Sequence, residues 1–227
     1  MTEYDTVKKT LRFLVACEES QTVCSAFRDM GFECYSNDIN PCYGGHPEWH
    51  IVGDAEQVIL AGASYKLEDG STLPYVERWD MIIAHPPCTM ITHSSAVALS
   101  QGKHTMEDVR EGARFFLSML NAPCDHVAVE NPAPMKVAGL PRYDQAIQPY
   151  QLGEPWSKRV CLWLRGLPPL MPTTGYCTEW KSWLGHCAST HRRRSKTFPS
   201  VARTMAENWG DYVIKQTMKD RRKNDIL

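Results

Sequence analysis

The sequence has no apolar run approaching the roughly 18 residues that a membrane-spanning helix needs, and its first residues, MTEYDTVKK, are polar. Neither insertion nor export is expected, so a cytoplasmic protein that makes no use of a membrane follows. Net charge is also missing: 25 basic against 26 acidic side chains leave −1, which excludes a general electrostatic attraction to nucleic acid. Any such contact must rest on local clusters, Arg192-Arg193-Arg194 and the tail Lys219-Asp220-Arg221-Arg222-Lys223. Internal repeats and low-complexity stretches are absent, which excludes solenoids and disordered linkers. The nine cysteines lack regular spacing and an even count, so a reducing compartment is expected rather than a disulfide framework.

What is present is enough for one core, with 227 residues of which 43% are hydrophobic. The first half repeats a short apolar run, a polar loop and a helix-like stretch, the pattern of an α/β sheet with parallel strands. Leu11 to Ala16 reads as the first strand, followed by Cys17-Glu18-Glu19-Ser20 and a helix carrying Val23, Phe27 and Met30 until Gly31 stops it. Glu33 to Ser36 ends at Asn37-Asp38, and His50 to Val52 at Gly53-Asp54. Met81 to Ala84 runs into His85-Pro86-Pro87-Cys88, and Met106 to Leu120 spaces its apolar residues as an amphipathic helix. Val127 to Glu130 closes on Asn131-Pro132, and Val160 to Leu164 is a later strand. Gly166 to Lys196 is irregular and rich in Pro, Trp, Cys, His and Arg. In doubly wound sheets ligands bind at the carboxyl ends of strands, so Glu18, Asp38, Asp54, Cys88 and Glu130 are expected on one rim.

Pro86-Pro87-Cys88 resembles the Pro-Cys motif of the carbon-5 cytosine DNA methyltransferases, and Val129-Glu130-Asn131-Pro132 resembles their Glu-Asn-Val motif, in the same order. The stretches LVACEESQTVCSAFRDMGFECYSNDI, WDMIIAHPPCT, VENPAPM, QPYQLGEPWSKRVCLWLRGLPPL and RSKTFPSVARTMAENWG are similar to short phage-encoded members, over about residues 11 to 213. The resemblance implies a Rossmann-like, S-adenosylmethionine-dependent methyltransferase fold, with a catalytic domain over 1–165 and 197–227 and a small recognition segment over 166–196. It implies DNA as partner, its target cytosine flipped out or single-stranded, and S-adenosylmethionine as co-substrate. Cys88 is the implied nucleophile and Glu130 the acid at the base. The Gln-x-Arg-x-Arg motif is reduced to Trp156-Ser157-Lys158-Arg159, and of the two cations Lys158 is favoured over Arg159. The donor is expected against Cys17, Glu18, Glu19, Ser20, Asp38, Ile39, Asp54, Ala55 and Pro86. One departure is conspicuous: the family's glycine-rich donor loop is Ala16-Cys17-Glu18-Glu19-Ser20 here, without a glycine.

The chemistry explains why these residue types are needed. Carbon 5 of cytosine is a poor nucleophile until a thiolate adds to carbon 6. A carboxylic acid at ring nitrogen 3 and a cation near the carbonyl ease that addition. Three rivals stand beside this reading. An amino-group methyltransferase would carry an aromatic ring at position 88, where cysteine stands. A DNA-binding or decoy protein without turnover is favoured by the altered donor loop. An enzyme that uses a modified donor or a nucleotide substrate is permitted by the short recognition segment. Cys177, His186, Cys187 and His191 crowd together, but their spacing fits no usual zinc site and no metal is expected. Trp180, Trp183 and the arginine run suit base stacking and phosphate pairing, or equally a core beside a solvated basic run.

Overall fold

The computed structural model describes residues 2–183 and 195–224. His186, Cys187, His191 and Arg192-Arg193-Arg194 lie outside the described residues. The chain runs α1 (Glu3–Thr10), β1 (Arg12–Ala16), α2 (Thr22–Asp29), β2 (Glu33–Asp38), β3 (His50–Val52), α3 (Ala55–Val58), β4 (Ala63–Lys66), β5 (Thr72–Val76), β6 (Met81–Ala84), α4 (Ala96–Ser100) and α5 (Met106–Leu120). It continues with β7 (Val127–Asn131), β8 (Gln145–Ile147), β9 (Trp156–Ser157), β10 (Val160–Arg165), β11 (Lys181–Ser182) and α6 (Pro199–Met205). A π-helical turn over Ala206–Gly210 then leads into α7 (Asp211–Asn224).

Seven strands form one sheet in the order β3-β2-β1-β6-β7-β10-β8. The first five are mutually parallel, and β10 runs antiparallel to both of its neighbours. This is the Rossmann-like α/β fold expected from the sequence. Strand alternation sends Phe13, Val15, Met81, Ile83 and Ala128 to one face, under α2 and the C-terminal helices. Leu14, Ala16, Ile82, Ala84, Val127 and Val129 go to the other, under α5 and the β4–β5 hairpin. Because both faces are covered, β6 is buried at all four positions and reads as a continuous apolar run.

Helix α5 shows how the sequence sets the packing. Thr105 and Asp108 form a capping box at its start, and Val109, Ala113, Phe116 and Met119 make the buried stripe. Phe116 meets Trp163 of β10 edge-on at 4.8 Å. Burying such a side chain stabilises the fold by about 2 kcal/mol, so a stripe of four anchors the helix firmly.

Several elements depart from the sequence reading. The polar N-terminal stretch is helix α1, capped by Thr2 and packed through buried Val7, and the Tyr4 hydroxyl donates to Asp211 in α7. The β4–β5 hairpin turns at Asp69-Gly70 and buries Leu73 and Val76. The short strand β8 adds the sheet's edge. Segment 166–196 is partly woven into the body: Leu167 and Leu170 are buried, and β11 pairs with β9. Among the described residues no helix is long and apolar enough to cross a membrane.

Candidate functional site

Parallel pairing brings the carboxyl ends of β1, β2, β3, β6 and β7 to one rim, with Ala16 level with Asn37 and Ala84, and Ala84 level with Val129. Antiparallel β10 places Cys161 beside Asn131. The start of that strand, and Lys158-Arg159 ahead of it, therefore reach the same rim. Glu18, Asp38, Asp54, Cys88 and Glu130 all follow or end rim strands, as the sequence indicates.

At the β6–β7 end two turns interlock. The Asn131 side-chain amide donates to the Pro86 carbonyl at 2.7 Å, and Met135 N–H donates to the Ile91 carbonyl at 2.7 Å. Thr92 forms a bridge with Pro134. The Cys88 carbonyl accepts from Ile91 and Thr92, which turns the chain directly after the cysteine. Cys88 is half-buried and Pro86 buried, and Glu130 is recessed with its side chain 13% exposed. The Pro-Pro-Cys and Glu-Asn-Pro turns are thus one locked unit.

Extending the Ala84–Val129 register by one residue sets His85 beside Glu130. His85 Nδ1 lies 3.1 Å from Glu130 Oε2. Burial pushes the His85 imidazole down, but the hydrogen bond to Glu130 and the fields of Glu130 and Glu18 outweigh it, against Lys158, and the net shift is upward. Burial raises the Glu130 carboxyl, yet His85 and Lys158 bring it below its ordinary value. The two partners agree in direction, each favouring the charged form of the other. Lys158 sits within this field and over the Phe198 ring. Arg159 is exposed and acts on Cys161 instead.

At the β1–β3 end the carboxylates are engaged by the protein itself. Glu18 is buried and accepts from Val23 N–H at 2.7 Å, Cys24 N–H at 3.1 Å and the Ser20 hydroxyl at 3.3 Å. Burial raises its carboxyl, with His85 and these hydrogen bonds opposing. Ser20 is occupied in holding Glu18. The N-terminus of α2 is where a dinucleotide's pyrophosphate would sit in a Rossmann site. Glu18 already fills it, so an anionic ligand has no place there. Asp38 accepts from Asn40 N–H at 2.9 Å and from its side-chain amide at 3.1 Å, and that amide also donates to Glu19. Ile39, next to Asp38, is 73% exposed, an apolar surface at a polar rim. Asp54 caps α3 through Glu56 N–H at 2.9 Å and is exposed, while Ala55 is buried in the core. Burial pushes the Cys17 thiol up to about 12, helped by Asp38 and Asp54. Cys17, Asp38 and Asp54 are therefore neighbours, and Cys17 is held as a thiol.

The loop that lacks glycine keeps glycine-like backbone. Cys17 and Gln21 adopt φ of 59° and 55°, a region non-glycine residues rarely occupy. The glycine that permits close approach comes from another segment: a methyl on Gly44 would lie 2.5 Å from Gln21 Cβ and 2.6 Å from the Ser20 carbonyl. Gln21 ties the two segments through the His46 backbone, donating to its carbonyl at 2.8 Å and accepting from its N–H at 3.0 Å. Sequence reasoning missed His85, Gln21 and Gly44. Only His85 carried a signal, its position one residue past the strand that precedes Cys88. Among the described residues no cluster of His, Cys, Asp and Glu could hold a metal ion.

No protein-family model matches the chain, and no curated protein is significantly similar to it in sequence. Among solved structures it is similar to a protein described as a DNA modification methyltransferase encoded within an E. coli prophage, at a TM-score of 0.43 and 14% identity. That match covers 73% of this chain and 52% of that one. It is also similar to the Entamoeba histolytica methyltransferase EhMeth, at a TM-score of 0.39 and 13% identity, over 76% of this chain and 58% of that one. The chain spans little more than half the length of these structures.

Proposed function

We propose that the chain transfers a methyl group from S-adenosylmethionine to carbon 5 of cytosine in DNA. On this reading residues 1–165 and 197–227 perform catalysis and 166–196 contributes recognition. The observation that carries it is the latch between Asn131 and Pro86, at 2.7 Å, which holds a nucleophile-bearing turn and an acid-bearing strand end as one unit. A thiol and a carboxyl kept in fixed relation are what addition across a cytosine ring needs.

Cys88 cannot reach carbon 6 inside a stacked duplex, so the target base is flipped out or single-stranded. The Cys88 thiolate adds to carbon 6, and Glu130 holds the proton at nitrogen 3. Lys158 supplies positive charge near the ring carbonyl, with Arg159 outside it. S-adenosylmethionine, when bound, supplies an electrophilic methyl group. Asp38 holds the donor's hydroxyl groups, Ile39 offers an apolar face beside it, and the loop at Cys17 to Ser20, Asp54, Ala55 and Pro86 shape the rest of its site. Loss of the carbon-5 proton and departure of Cys88 complete the turnover.

Nucleoside mass spectrometry on DNA from cells expressing the wild type, Cys88→Ala or an empty vector tests this. A 5-methylcytosine peak present in the wild type alone is expected. A heavier cytosine adduct with the same dependence would keep the nucleophile and replace the donor. Methyladenine would overturn the assignment of Cys88, and an unchanged nucleoside profile would overturn turnover on DNA.

A further inference from the structure

We propose that His85 is a positioning residue for Glu130 and stores the proton that Glu130 delivers to the base, an inference that rests on the cytosine carbon-5 reading. The geometry is closed on several sides. Nδ1 of His85 and Oε2 of Glu130 are 3.1 Å apart, with side chains only 10% and 13% exposed. His85 N–H donates to the Ala16 carbonyl at 2.9 Å, which fixes the backbone from the β1 side. The Asn131 latch fixes the residue after Glu130 from the other side. With its backbone held and its ring recessed, His85 orients one carboxylate oxygen and leaves the other to meet the base.

The charges around the imidazole suit a stored proton. Glu130 faces it from β7, Glu18 from the loop after β1, and Lys158 from the segment ahead of β10. Two carboxylates against one ammonium favour the imidazolium. A further observation points to a ligand here: His85 Nε2 and Asn131 Oδ1 are buried without a hydrogen-bond partner among the described residues. Native interiors seldom leave such atoms unpaired, and two within one locked unit mark a place where a bound molecule completes the network.

The proton inventory closes. As Cys88 sulfur bonds to carbon 6, the carbon 5–carbon 6 π pair shifts through the ring and nitrogen 3 takes a proton through Glu130, whose carboxylate receives one from His85 Nδ1 as it gives one up. The pair passes from imidazolium and carboxylate to neutral imidazole and carboxylate. After methyl transfer, carbon 5 gives its proton to water, the carbon 5–carbon 6 double bond re-forms, and Cys88 departs as thiolate. Nitrogen 3 then returns its proton to Glu130 and on to His85.

Two measurements test this. His85→Asn keeps an N–H near the Nδ1 position but cannot titrate, and His85→Leu removes both properties. In the pH profile of methyl transfer, His85→Asn is expected to lose roughly 100-fold in kcat at neutral pH with KM for DNA unchanged. Its falling limb moves from above the imidazole range down to the carboxyl range, because Glu130 alone then holds the proton. His85→Leu loses more, since orientation is lost as well. A His85→Asn enzyme with the wild-type limb and rate overturns the proposal. Independently of turnover, the His85 ring resonance, assigned by its loss in His85→Asn, titrates above the ordinary imidazole range and drops in Glu130→Gln. A midpoint unmoved by Glu130→Gln overturns the pair. A responsive midpoint with no cytosine product from the wild type overturns the carbon-5 reading and the proton route, and leaves the pair standing.

Discussion

Along the β1–β3 half of the rim, acidic side chains are consumed by the protein: Glu18 caps α2, Asp54 caps α3, and Asp38 and Glu19 hold Asn40. Across β6 and β7 more is left open: among the described residues His85 Nε2 and Asn131 Oδ1 are both buried without a partner, against Asn37 Oδ1 along β1–β3. One half is largely satisfied by the protein itself, whereas the other keeps more unmet hydrogen-bonding capacity. Substitutions in the first half should therefore be read in stability, and in the second half in turnover. The same sheet and similar residue types produce both behaviours, so the distinction lies in hydrogen-bond partners rather than in composition.

The largest effect expected is on turnover. Glu130→Gln should lower kcat by roughly 1000-fold while unfolding free energy falls by no more than about 3 kcal/mol; steady-state kinetics and urea denaturation check both. Unfolding without a loss of specific activity would break the comparison. A second effect appears in stability against pH. Glu130 has a lowered folded pKa, so its contribution is present above its unfolded value and lost as pH falls through the folded one. His85 has a raised folded pKa, so its contribution is present below its unfolded value and lost as pH rises through the folded one. The gap between wild type and His85→Asn should therefore be widest between about pH 4.3 and 6.5, near 3 kcal/mol for a buried pair, about the lower end of what breaking such pairs costs. Thermal unfolding across that range measures it, and a flat gap would remove the pair from the account.

In the satisfied half, Glu18→Ala leaves two buried N–H groups at the start of α2 unpaired. A loss of about 2 kcal/mol is expected, seen as a lower urea midpoint at unchanged slope. Retained stability would mean that these bonds do not hold that half together. The smallest effect is expected from Cys17→Gly. Glycine accepts the φ of 59° at no steric cost, so stability should rise by less than about 1 kcal/mol, offset in part by a looser unfolded chain. A marked loss of stability would show that the thiol's burial matters more than its backbone.

Much of the sheet was legible because covered parallel strands read as short apolar runs: His50–Val52, Met81–Ala84 and helix Met106–Leu120 were located to the residue, and β1, β2, β7 and β10 to within one or two. What escaped has physical reasons. The strand pattern of β4–β5 is weak because one face is solvated, although its Asp69-Gly70 turn was there to be seen. Helix α1 carries a single buried residue, Val7, too little for a periodic signal. The rim's convergence followed from strand order, but pairings across it did not. His85 meets Glu130 only through the register of β6 on β7, and Gly44 meets Gln21 only through the packing of one loop on another. Pattern along a chain cannot express either relation.

The reversed direction of β10 has a consequence for reach. Its last residue, Arg165, pairs with Val127, the first residue of β7, so segment 166–196 departs from the far edge of the sheet. To rejoin the working edge it must climb back a strand's height, about 17 Å for five residues. Its foothold bonds mark the ascent, from Thr174 on Leu152, through Cys177 on Tyr150, to Lys181 on Pro155. About half of the segment is taken up in transit before β11 pairs with β9. On the proposed reading, chain length spent in this transit cannot serve recognition, so length as much as side-chain chemistry limits the footprint on a polymer.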